Sequence, residues 1–500
     1  MLLQAHPPSV DYRQRDATIS TMNICVIDVG TSSIRSAATD GQHLIYLAQQ
    51  ATPPRISEPG LVEFDPTEMA GVILRTANEV IAEVGGVEAV AITNQRGSVV
   101  VWDRTTSEPV GPGLSWQDLR TVGECLGYKG KGLEFSPSEA ATKLVHMLDQ
   151  HDPQRCRNLC FGTVDSWAVW CLSQGAHHVS DASNASISGM LTADASGWSE
   201  EITSQLGVPL ACLPKIVDST AVIGSATALA GSPPIVGIIG DQQSSLVGQR
   251  CVLEGTAKLT FGTGGFLNVC GADARPFAEK RSERGTFPVV AWQHNQEVRW
   301  CTEAMMITAG ANINWLVQSM GLLRDAQDAA QVAASVADSG GVFYVPALYG
   351  LGTPYWDFGA RAGLFGLTGD TTAAHIVRAV LEGIAHRAAD MLDAAEQDSG
   401  YRIENIRVDG GMSQNPVFNQ ILADTLGRTV ELCSVPEGTT LGAAVLAQMG
   451  LGRWSSWQEV AAEWLPREIV KPQNTVDRER WHDAVQRASR WYPELSDLGL

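Results

Sequence analysis

The chain of 500 residues carries 55 acidic and 35 basic side chains, a formal net charge of −20 at pH 7, and 44% of its residues are hydrophobic. A chain of this length exceeds what one hydrophobic core usually serves and predicts two domains. Its acidity argues against nucleic acid or an anionic membrane as the main partner, because both select positive surfaces, and leaves small molecules and soluble partners.

The N-terminal segment is not expected to be a targeting signal. No part of the sequence approaches the ~18 apolar residues needed to span a bilayer, and the N-terminus lacks the apolar core of a signal peptide. The 10 cysteines are scattered between Cys25 and Cys433 and are predicted to be reduced core residues. We therefore expect a cytoplasmic protein. Residues 1–21 are expected to form a flexible tail, with Met22 as an alternative start of translation.

An acid and a glycine-containing turn follow the first predicted strand. Asn23–Ile27 is a β-rich run that ends at Asp28, and a turn over Val29–Ser33 leads into a second strand at Ile34–Ala38. The backbone N–H groups of such a tip can cradle a phosphate. Asp28 would hold Mg²⁺ through water, since Mg²⁺ keeps several waters and takes only one or two carboxylates. Arg35 would neutralise charge on a transferring phosphoryl group.

Polar side chains follow the next predicted strand. A helix is predicted over Pro66–Val84 and a buried strand over Val87–Thr93, which runs into Asn94-Gln95-Arg96, with Trp116 further along. Amides and a guanidinium bond paired hydroxyls and an indole face covers C–H groups, so this cluster fits a sugar or polyol. A polar loop that is satisfied within the protein, with tryptophans in the core, explains the same residues equally well.

The stretch Pro233–Phe266 contains most of the predicted chemistry. Ile235–Ile239 is a buried strand, so Asp241 and Gln242 emerge at its carboxyl end, where open α/β sheets bind ligands and a carboxylate can act as general base. A second hairpin follows, and its tip at Gly262–Gly265 shares a Gly-Thr pair with the first hairpin. This indicates an internal repeat, with two domains facing one polyphosphate. An ordinary helix cap and an ordinary tight hairpin are the alternatives.

The second half of the chain is predicted to be more helical. Helices are expected over 305–323, 372–398 and 441–449, and a strand over 342–346. A strand at Ile406–Val408 ends at Asp409 and Gly410-Gly411, where glycines let a flat ligand such as adenine lie against the backbone. Beyond Trp454 the chain is charged and is predicted to be a helical surface addition.

These motifs occur together in a known family. From Ile24 to Gly450 the chain resembles the FGGY carbohydrate kinases and, within them, the glycerol kinase branch. The similar segments are Asp28–Ser33, Ile92–Arg96, Ser115–Asp118, Gly240–Gln243, Phe261–Gly264, Gly350–Asp357 and Val408–Gly411. The resemblance implies an α/β fold of two actin-like (ribonuclease H-like) domains with an interdomain cleft that closes on ATP and a small polyol.

The resemblance also divides the chain. After the tail, it implies an N-terminal domain over 22–253 that binds polyol and phosphate, and a C-terminal domain over 254–455 that binds the nucleotide. Residues 456–500 are then a C-terminal helical extension. We expect a homo-oligomer, either a dimer or a tetramer, with ATP and Mg²⁺ as the ligands besides the polyol.

Site residues carry over from the resemblance position by position. Asp241 is implied as the base that accepts the proton of the substrate hydroxyl, and its ordinary pKa near ~3.9 would keep it ionised at neutral pH without a shift. The implied polyol contacts are Arg96, Trp116, Asp241, Gln242 and Phe266. The implied ATP contacts are Thr31, Ser32, Ser33, Arg35, Thr263, Gly310, Asn314, Gly411 and Asn415, with Asn314 in place of the more usual Gln.

Two departures fall in the implied substrate pocket. Where glycerol kinases carry Glu after the Asn-Gln-Arg run, this chain has Gly97, and Ser138 aligns with their substrate Tyr. Both changes remove bulk and hydrogen-bonding groups, so a substrate of four or five carbons is expected beside glycerol. A site that bonds a hydroxyl discriminates strongly, and losing such groups changes specificity.

Other functions are compatible with parts of the pattern. A kinase for a pentulose or another sugar is the alternative within the enzymes, because Gly97 departs from the glycerol branch. A non-catalytic actin-like nucleotide switch would keep both phosphate tips but has no need of Arg96, Trp116 and Asp241 together. A sugar-responsive regulator would need a nucleic-acid module, and the acidic chain shows no basic helix-turn-helix segment.

Overall fold

The computed structural model of the protein describes residues 23–435 and 437–498. It contains two α/β units, each built on a large mixed sheet. Within the described ranges, no helix is long and apolar enough to cross a membrane. The predicted tail over 1–21 and the alternative start at Met22 lie outside the described residues.

The first unit is centred on a sheet with the strand order β12-β13-β6-β1-β2-β3. Its strands, including those of two smaller sheets, are β1 (Ile24–Val29), β2 (Ser33–Thr39), β3 (Leu44–Ala51), β4 (Arg55–Glu58), β5 (Leu61–Phe64), β6 (Ala89–Asn94), β7 (Val99–Asp103), β8 (Gly113–Leu114), β9 (Leu159–Thr163), β10 (Val179–Asp181), β11 (Lys215–Val217), β12 (Val222–Ser225) and β13 (Pro234–Gly240). Every residue of β1 and β6 is buried, as expected for central strands covered on both faces.

Helices cover this sheet. They are α1 (Pro66–Val84), α2 (Val122–Lys129), α3 (Ala140–His151), α4 (Val164–Leu172), α5 (Ala182–Ser186), α6 (Glu200–Leu206) and α7 (Asp241–Gly248), with a 3₁₀ turn at Leu210–Cys212. The predicted bounds of α1 are confirmed. Asp65 caps it by accepting from Thr67 N at 2.8 Å, and Gly85 ends it in the left-handed conformation with φ 73°.

The second unit repeats this plan on a sheet with the order β16-β17-β15-β14-β20-β21-β22. Its strands are β14 (Ala257–Phe261), β15 (Gly265–Cys270), β16 (Phe287–His294), β17 (Glu297–Met306), β18 (Phe343–Val345), β19 (Gly363–Phe365), β20 (Asn405–Asp409), β21 (Thr429–Leu432) and β22 (Glu468–Val470). Its helices are α8 (Gly310–Gln318), α9 (Asp328–Ala334), α10 (Ala373–Ser399), α11 (Pro416–Leu426), α12 (Gly438–Gly450), α13 (Trp457–Ala462), α14 (Glu479–Ala488) and α15 (Pro493–Ser496), with a 3₁₀ turn at Gly411–Gln414.

The predicted internal repeat is confirmed by the strand pairing. In the first sheet β1 pairs antiparallel with β2 and parallel with β6, which pairs parallel with β13. In the second sheet β14 pairs antiparallel with β15 and parallel with β20, which pairs parallel with β21. Each unit therefore places one hairpin tip and the carboxyl ends of two further strands at the same edge of its sheet.

Helices α7 and α12 join the two units. A Cβ added at Gly248 would lie 1.9 Å from Gly438 O, and one added at Gly442 would lie 1.7 Å from Ser244 O. Only glycines permit backbones to approach this closely. Helix α12 also packs its small and aliphatic residues against the first sheet, in one hydrophobic cluster with Val26 of β1.

Two sequence expectations are wrong in part. The helix predicted over 305–323 begins only at Gly310, because Met305 and Met306 end β17, where they pair with Phe266 and Gly265 of β15. The segment 456–500 is not purely helical, since β22 extends the second sheet by pairing with β21. It is not only a surface addition either, because Trp481 of α14 is fully buried and donates to Asp390 Oδ2 of α10 at 3.1 Å.

Candidate active site

Strand ends of the first sheet bring the predicted chemistry together. The register pairs Asp28 of β1 with Thr93 of β6, and Gly240 of β13 with Asn94. The residues that follow, Arg96 and Asp241, therefore emerge at one edge of the sheet beside the first hairpin tip.

Asp241 is the first residue of α7. Its Oδ1 accepts from Gln242 N at 2.7 Å and lies 3.5 Å from Arg96 Nε, and 32% of the side chain is exposed to the cleft. Burial raises the pKa of Asp241 to about 6, the nearby charge of Asp28 adds to this, and the Arg96 guanidinium opposes it. The pKa is higher than the ordinary value on which the sequence expectation was based, but the carboxylate is still mainly ionised at pH 7, as expected.

This shift predicts the pH dependence of activity. A general base works only when deprotonated, so we expect kcat/KM for the acceptor to be constant above about pH 7 and to fall as pH drops through about 6. The measurement is the rate at saturating ATP between pH 5 and 8 at constant ionic strength. A rate that stays level down to pH 5 would contradict the role given to Asp241.

Arg96 forms an ion pair that crosses between the units. Its Nη1 and Nη2 donate to Glu303 Oε2 and Oε1 of β17 at 2.9 and 3.0 Å, a planar two-bond fork, and both side chains are more than nine-tenths buried. Asn268 Nδ2 donates to the same carboxylate at 2.9 Å, and the guanidinium lies 5.9 Å from the centre of the Phe266 ring. Gly240 makes room, since a Cβ there would lie 2.8 Å from Arg96 Cδ.

The remaining predicted polyol contacts divide into two groups. Trp116 lies at the cleft and donates its Nε1–H to Thr31 Oγ1 at 3.1 Å, which ties the indole to the first tip. The side-chain amides of Asn94 and Gln95 instead form hydrogen bonds within the protein. Asn94 Nδ2 donates to Asn184 Oδ1 at 3.0 Å, and Gln95 Nε2 donates to Gly30 O at 3.2 Å. For these two amides the satisfied polar loop is the correct interpretation.

The first hairpin tip presents Thr31, Ser32 and Ser33. Ser32 is exposed, whereas Ser33 Oγ accepts from Gln49 Nε2 at 3.0 Å. Behind the tip, Arg35 on β2 faces Asp28 on β1, with Nη2 3.1 Å from Oδ2. Burial raises the pKa of Asp28, and Arg35 opposes the increase.

The second tip is tied to the start of α8. Gly262 and Thr263 are exposed, and Thr263 O accepts from Ala309 N at 2.8 Å and from Ala311 N at 3.1 Å. A Cβ at Gly310 would lie 2.7 Å from Gly262 O, so this contact requires glycine. Asn314 is exposed one turn further along α8.

The end of β20 forms the third part of the cleft. Gly410 has φ 87°, and a Cβ there would lie 2.3 Å from Phe261 O, whereas Gly411 is exposed with open space around it. Asn415 Oδ1 caps α11 by accepting from Phe418 N at 3.0 Å, so this oxygen is already used.

The space beside Gly97 is not empty, contrary to the expectation from sequence. Gly97 has φ 72°, and a Cβ there would lie 2.3 Å from Ser138 O. Lys143 Nζ donates to the Ser138 carbonyl oxygen at 3.1 Å and to the Pro137 carbonyl oxygen at 3.0 Å. The Ser138 hydroxyl forms a hydrogen bond with Ser136 Oγ at 2.8 Å. Gly97 and Ser138, the two positions that depart from the glycerol kinase pattern, are thus neighbours. The Ser138 carbonyl lies in the space that a side chain at position 97 would need.

A stability measurement tests this arrangement. We expect Gly97→Ala to lower the free energy of unfolding by at least about 1 kcal/mol, because it adds left-handed strain and a backbone clash. The matched control is Gly123→Ala in α2, where nothing lies within 4 Å and φ is not positive; it is expected to be neutral or stabilising. Urea unfolding curves that coincide for both variants and the wild type would contradict the packing at Gly97.

Comparison with known proteins decides the family. The family model "FGGY family of carbohydrate kinases, N-terminal domain" matches residues 23–248, and the corresponding C-terminal domain matches residues 257–451. The chain belongs to the FGGY family of carbohydrate kinases.

Individual FGGY relatives agree over nearly the whole chain. The chain is 39% identical to a glycerol kinase of Aromatoleum aromaticum over 94% of its own length and 99% of that protein, and 38% identical to one of Trichlorobacter lovleyi. The crystal structure of Plasmodium falciparum glycerol kinase with ADP superposes with a TM-score of 0.85 at 28% identity, covering 93% of this chain and 98% of that one. Gluconate kinase of Lactobacillus acidophilus shares the fold at 19% identity and a TM-score of 0.80.

FGGY membership confirms three predictions. The fold is that of two actin-like domains, the protein is an ATP-dependent phosphotransferase acting on an alcohol, and its sequence is glycerol kinase-like. An enzyme, and not a nucleotide switch, is therefore the correct general description.

Asp28 offers a carboxylate of the kind that a water-coordinated Mg²⁺ takes in proteins. Among residues 23–435 and 437–498, no three histidine, cysteine or acidic side chains gather as a metal cage. Burial raises the pKa of both Asp28 and Asp241, and the negative charge of Asp28 adds to the increase at Asp241, which is a repulsion between the two carboxylates. A cation that shares phosphate oxygens and water would relieve that repulsion, and Mg²⁺ prefers such sites.

Two buried residues of the site were missed from the sequence. Glu303 lies in the apolar run Trp300–Met306, and a lone acid in a buried strand signals a partner, because buried charges are paired. Lys258 is a fully buried lysine in β14 and carries the same signal.

Proposed function

We propose that the protein transfers the γ-phosphoryl group of ATP to a primary hydroxyl of a small polyol, either glycerol or a polyol of four to five carbons. The observation that carries this proposal is the group formed by Asp241, Arg96 and Glu303 at the cleft between the two hairpin tips. Its acceptor is a neutral alcohol, because the Arg96 charge is already balanced by Glu303.

The proposed chemistry uses Asp241 as general base. Its carboxylate accepts the hydroxyl proton as the bond to phosphorus forms, and Arg96 holds the carboxylate in position from 3.5 Å. Closure of the two domains excludes water, which otherwise competes as acceptor. Phe266, beside Arg96, and Trp116, beside Thr31, would cover the carbon chain of the polyol, while Gln242 bonds a hydroxyl. The backbone of Gly97 and Ser138 would form one wall of the same pocket.

Phosphate binding is proposed at the two tips. Thr31, Ser32 and Ser33 on the first tip and Thr263 on the second offer backbone N–H groups and hydroxyls, and Arg35 adds positive charge. Gly310, Asn314, Gly411 and Asn415 would bind the rest of the nucleotide. Asp28 would hold Mg²⁺ through water beside the phosphates, where the ion supplies charge neutralisation.

A pentulose or another sugar is the second candidate substrate. The observation that favours it is Gly97, because the carboxylate implied at this position in glycerol kinases is absent and the Ser138 carbonyl oxygen lies 2.3 Å from where a Cβ would be. A backbone carbonyl accepts a hydrogen bond from a hydroxyl but is uncharged, so the two positions would select a different arrangement of hydroxyls.

Three broader features remain proposals. Domain limits at 22–253 and 254–455, with an extension over 456–500, accommodate both sheets, although β22 of the extension completes the second one. The cytoplasmic location is proposed from the 10 free cysteines, most of them buried. A homo-oligomer, a dimer or a tetramer, is the proposed assembly.

A coupled ADP-release assay tests the proposed function. The purified protein is given ATP and Mg²⁺ with glycerol, erythritol, threitol, xylitol, arabinitol, ribulose, xylulose or dihydroxyacetone. Strong stimulation by glycerol or a four- to five-carbon polyol supports the proposal, and preference for a pentulose supports the second candidate. Absence of stimulation by every polyol and sugar would refute both.

A further inference from the structure

We infer that Lys258 is a positioning residue that fixes the side-chain amide of Gln242 with its N–H groups directed at the acceptor. The inference rests on the proposed function and deepens it. Lys258 lies on β14 and is fully buried. Its Nζ donates to Gln242 Oε1 at 2.8 Å and to Thr260 Oγ1 at 2.9 Å. Lys258 belongs to the second unit, whereas Gln242 belongs to the first and directly follows the proposed base, Asp241.

The chemistry of the ammonium sets the orientation of the amide. A lysine ammonium has three donors and no acceptor, so only the carbonyl oxygen of Gln242 can face it. The amide nitrogen must then point away from Lys258. Gln242 is half-buried, and its Nε2 donates no hydrogen bond to any residue that the structure describes. Both N–H groups are therefore available to a ligand in the cleft.

The two neighbouring side chains then have complementary roles. Gln242 donates to a lone pair of an acceptor oxygen, whereas the ionised Asp241 accepts a proton from a hydroxyl. A polyol supplies both kinds of group on adjacent carbons. Without Lys258 the amide could rotate by 180° and present its oxygen, which repels the same lone pair. Lys258 thereby selects acceptors through Gln242 without touching them.

Several charged groups surround Lys258. Burial lowers the pKa of Lys258, the Arg96 charge adds to this, and the charges of Asp409, Glu303 and Asp241 oppose it. Its two hydrogen-bond partners are neutral oxygens. A buried charge is costly, so a fully buried lysine bonded to the residue after the proposed base points to a role in the reaction.

Steady-state kinetics of four variants test the inference. Lys258→Met is expected to raise the acceptor KM by about tenfold, the size of one lost hydrogen bond, and to leave the KM for ATP unchanged. Gln242→Leu is expected to raise the acceptor KM by the same factor. The double variant Lys258→Met with Gln242→Leu is expected to show no further rise in the acceptor KM. Thr260→Val, which removes only the other partner of the Lys258 ammonium, is the matched control and is expected to keep the acceptor KM.

Several results would overturn the inference. They are an unchanged acceptor KM in Lys258→Met, an equal rise in the KM for ATP, or a double variant in which the two effects multiply. If Lys258→Met does not fold, Gln242→Glu decides, because its carboxylate pairs with Lys258 but has no N–H, so its acceptor KM should rise as in Gln242→Leu. Wild-type protein that phosphorylates no polyol would instead refute the proposed function, which separates the two failures.

Discussion

Asp241→Asn is expected to lower kcat for the polyol by about 10² or more, the usual size of general-base assistance. The amide keeps the shape of the carboxylate and its contact with Gln242 N, but it cannot accept the hydroxyl proton. We therefore expect the KM values for ATP and polyol to change little. The measurement is acceptor-dependent ADP release at saturating ATP.

The outcome of this substitution separates two roles of the carboxylate. If Asp241 only oriented Arg96, its amide would retain much of the activity, because Arg96 is held mainly by the fork with Glu303. Near-normal turnover in Asp241→Asn would therefore refute the assignment as base. The remaining activity of the variant should also lose the inflection near pH 6, since the titrating group has gone.

Arg96→Met is expected to have the largest effect on stability, about 3–5 kcal/mol in the free energy of unfolding. It leaves the Glu303 carboxylate buried and without its cation, and Asn268 is then its one side-chain hydrogen-bond donor among the residues that the structure describes. Activity should also be lost, because Arg96 contacts Asp241 and its guanidinium lies over the Phe266 ring, 5.9 Å from the ring centre. Urea unfolding and the ADP-release assay measure the two effects separately.

The double variant Arg96→Met with Glu303→Met is the control for this prediction. Replacing both members of a buried ion pair by apolar groups is often neutral or stabilising, so the free energy of unfolding should return close to the wild-type value. Activity should stay lost. A double variant as unstable as Arg96→Met alone would show that the fork is not the source of the destabilisation.

The fold was largely predictable because its signals are local. The helix bounds at Pro66 and Val84 follow from residues directly beside each end, Asp65 and Pro66 at the start and Gly85 after the last residue. The Gly-Thr tips predicted the repeat of β1-β2 and β14-β15 for the same reason. The short edge strand β22 was missed, since three residues carry too little periodicity and pairing with β21 creates the strand.

The site was only half predictable because its partners are distant in sequence. Asp241 follows a buried strand, so its position at the sheet edge could be deduced. Arg96 and Glu303 are 207 residues apart, and no local pattern connects them. In the same way, the sequence shows that Asn94 is polar but not that Asn184 already satisfies it.

The space beside Gly97 shows a further limit of sequence reasoning. Loss of a side chain suggests an enlarged pocket, yet the Ser138 carbonyl fills the space. Its position depends on the buried Lys143, whose pKa burial lowers to about 7. The space beside position 97 thus depends on where the backbone of Ser138 lies, which the loss of a side chain does not reveal.

The most direct test of a polyol kinase is the identity of the product. Phosphorus NMR of a reaction with ATP, Mg²⁺ and the best acceptor of the panel follows every phosphate species at once. We predict one phosphomonoester of the polyol, formed in equal amount with ADP, and no such product with Asp241→Asn on the same timescale. ADP accompanied by an equal amount of inorganic phosphate, with no phosphomonoester, would contradict the account.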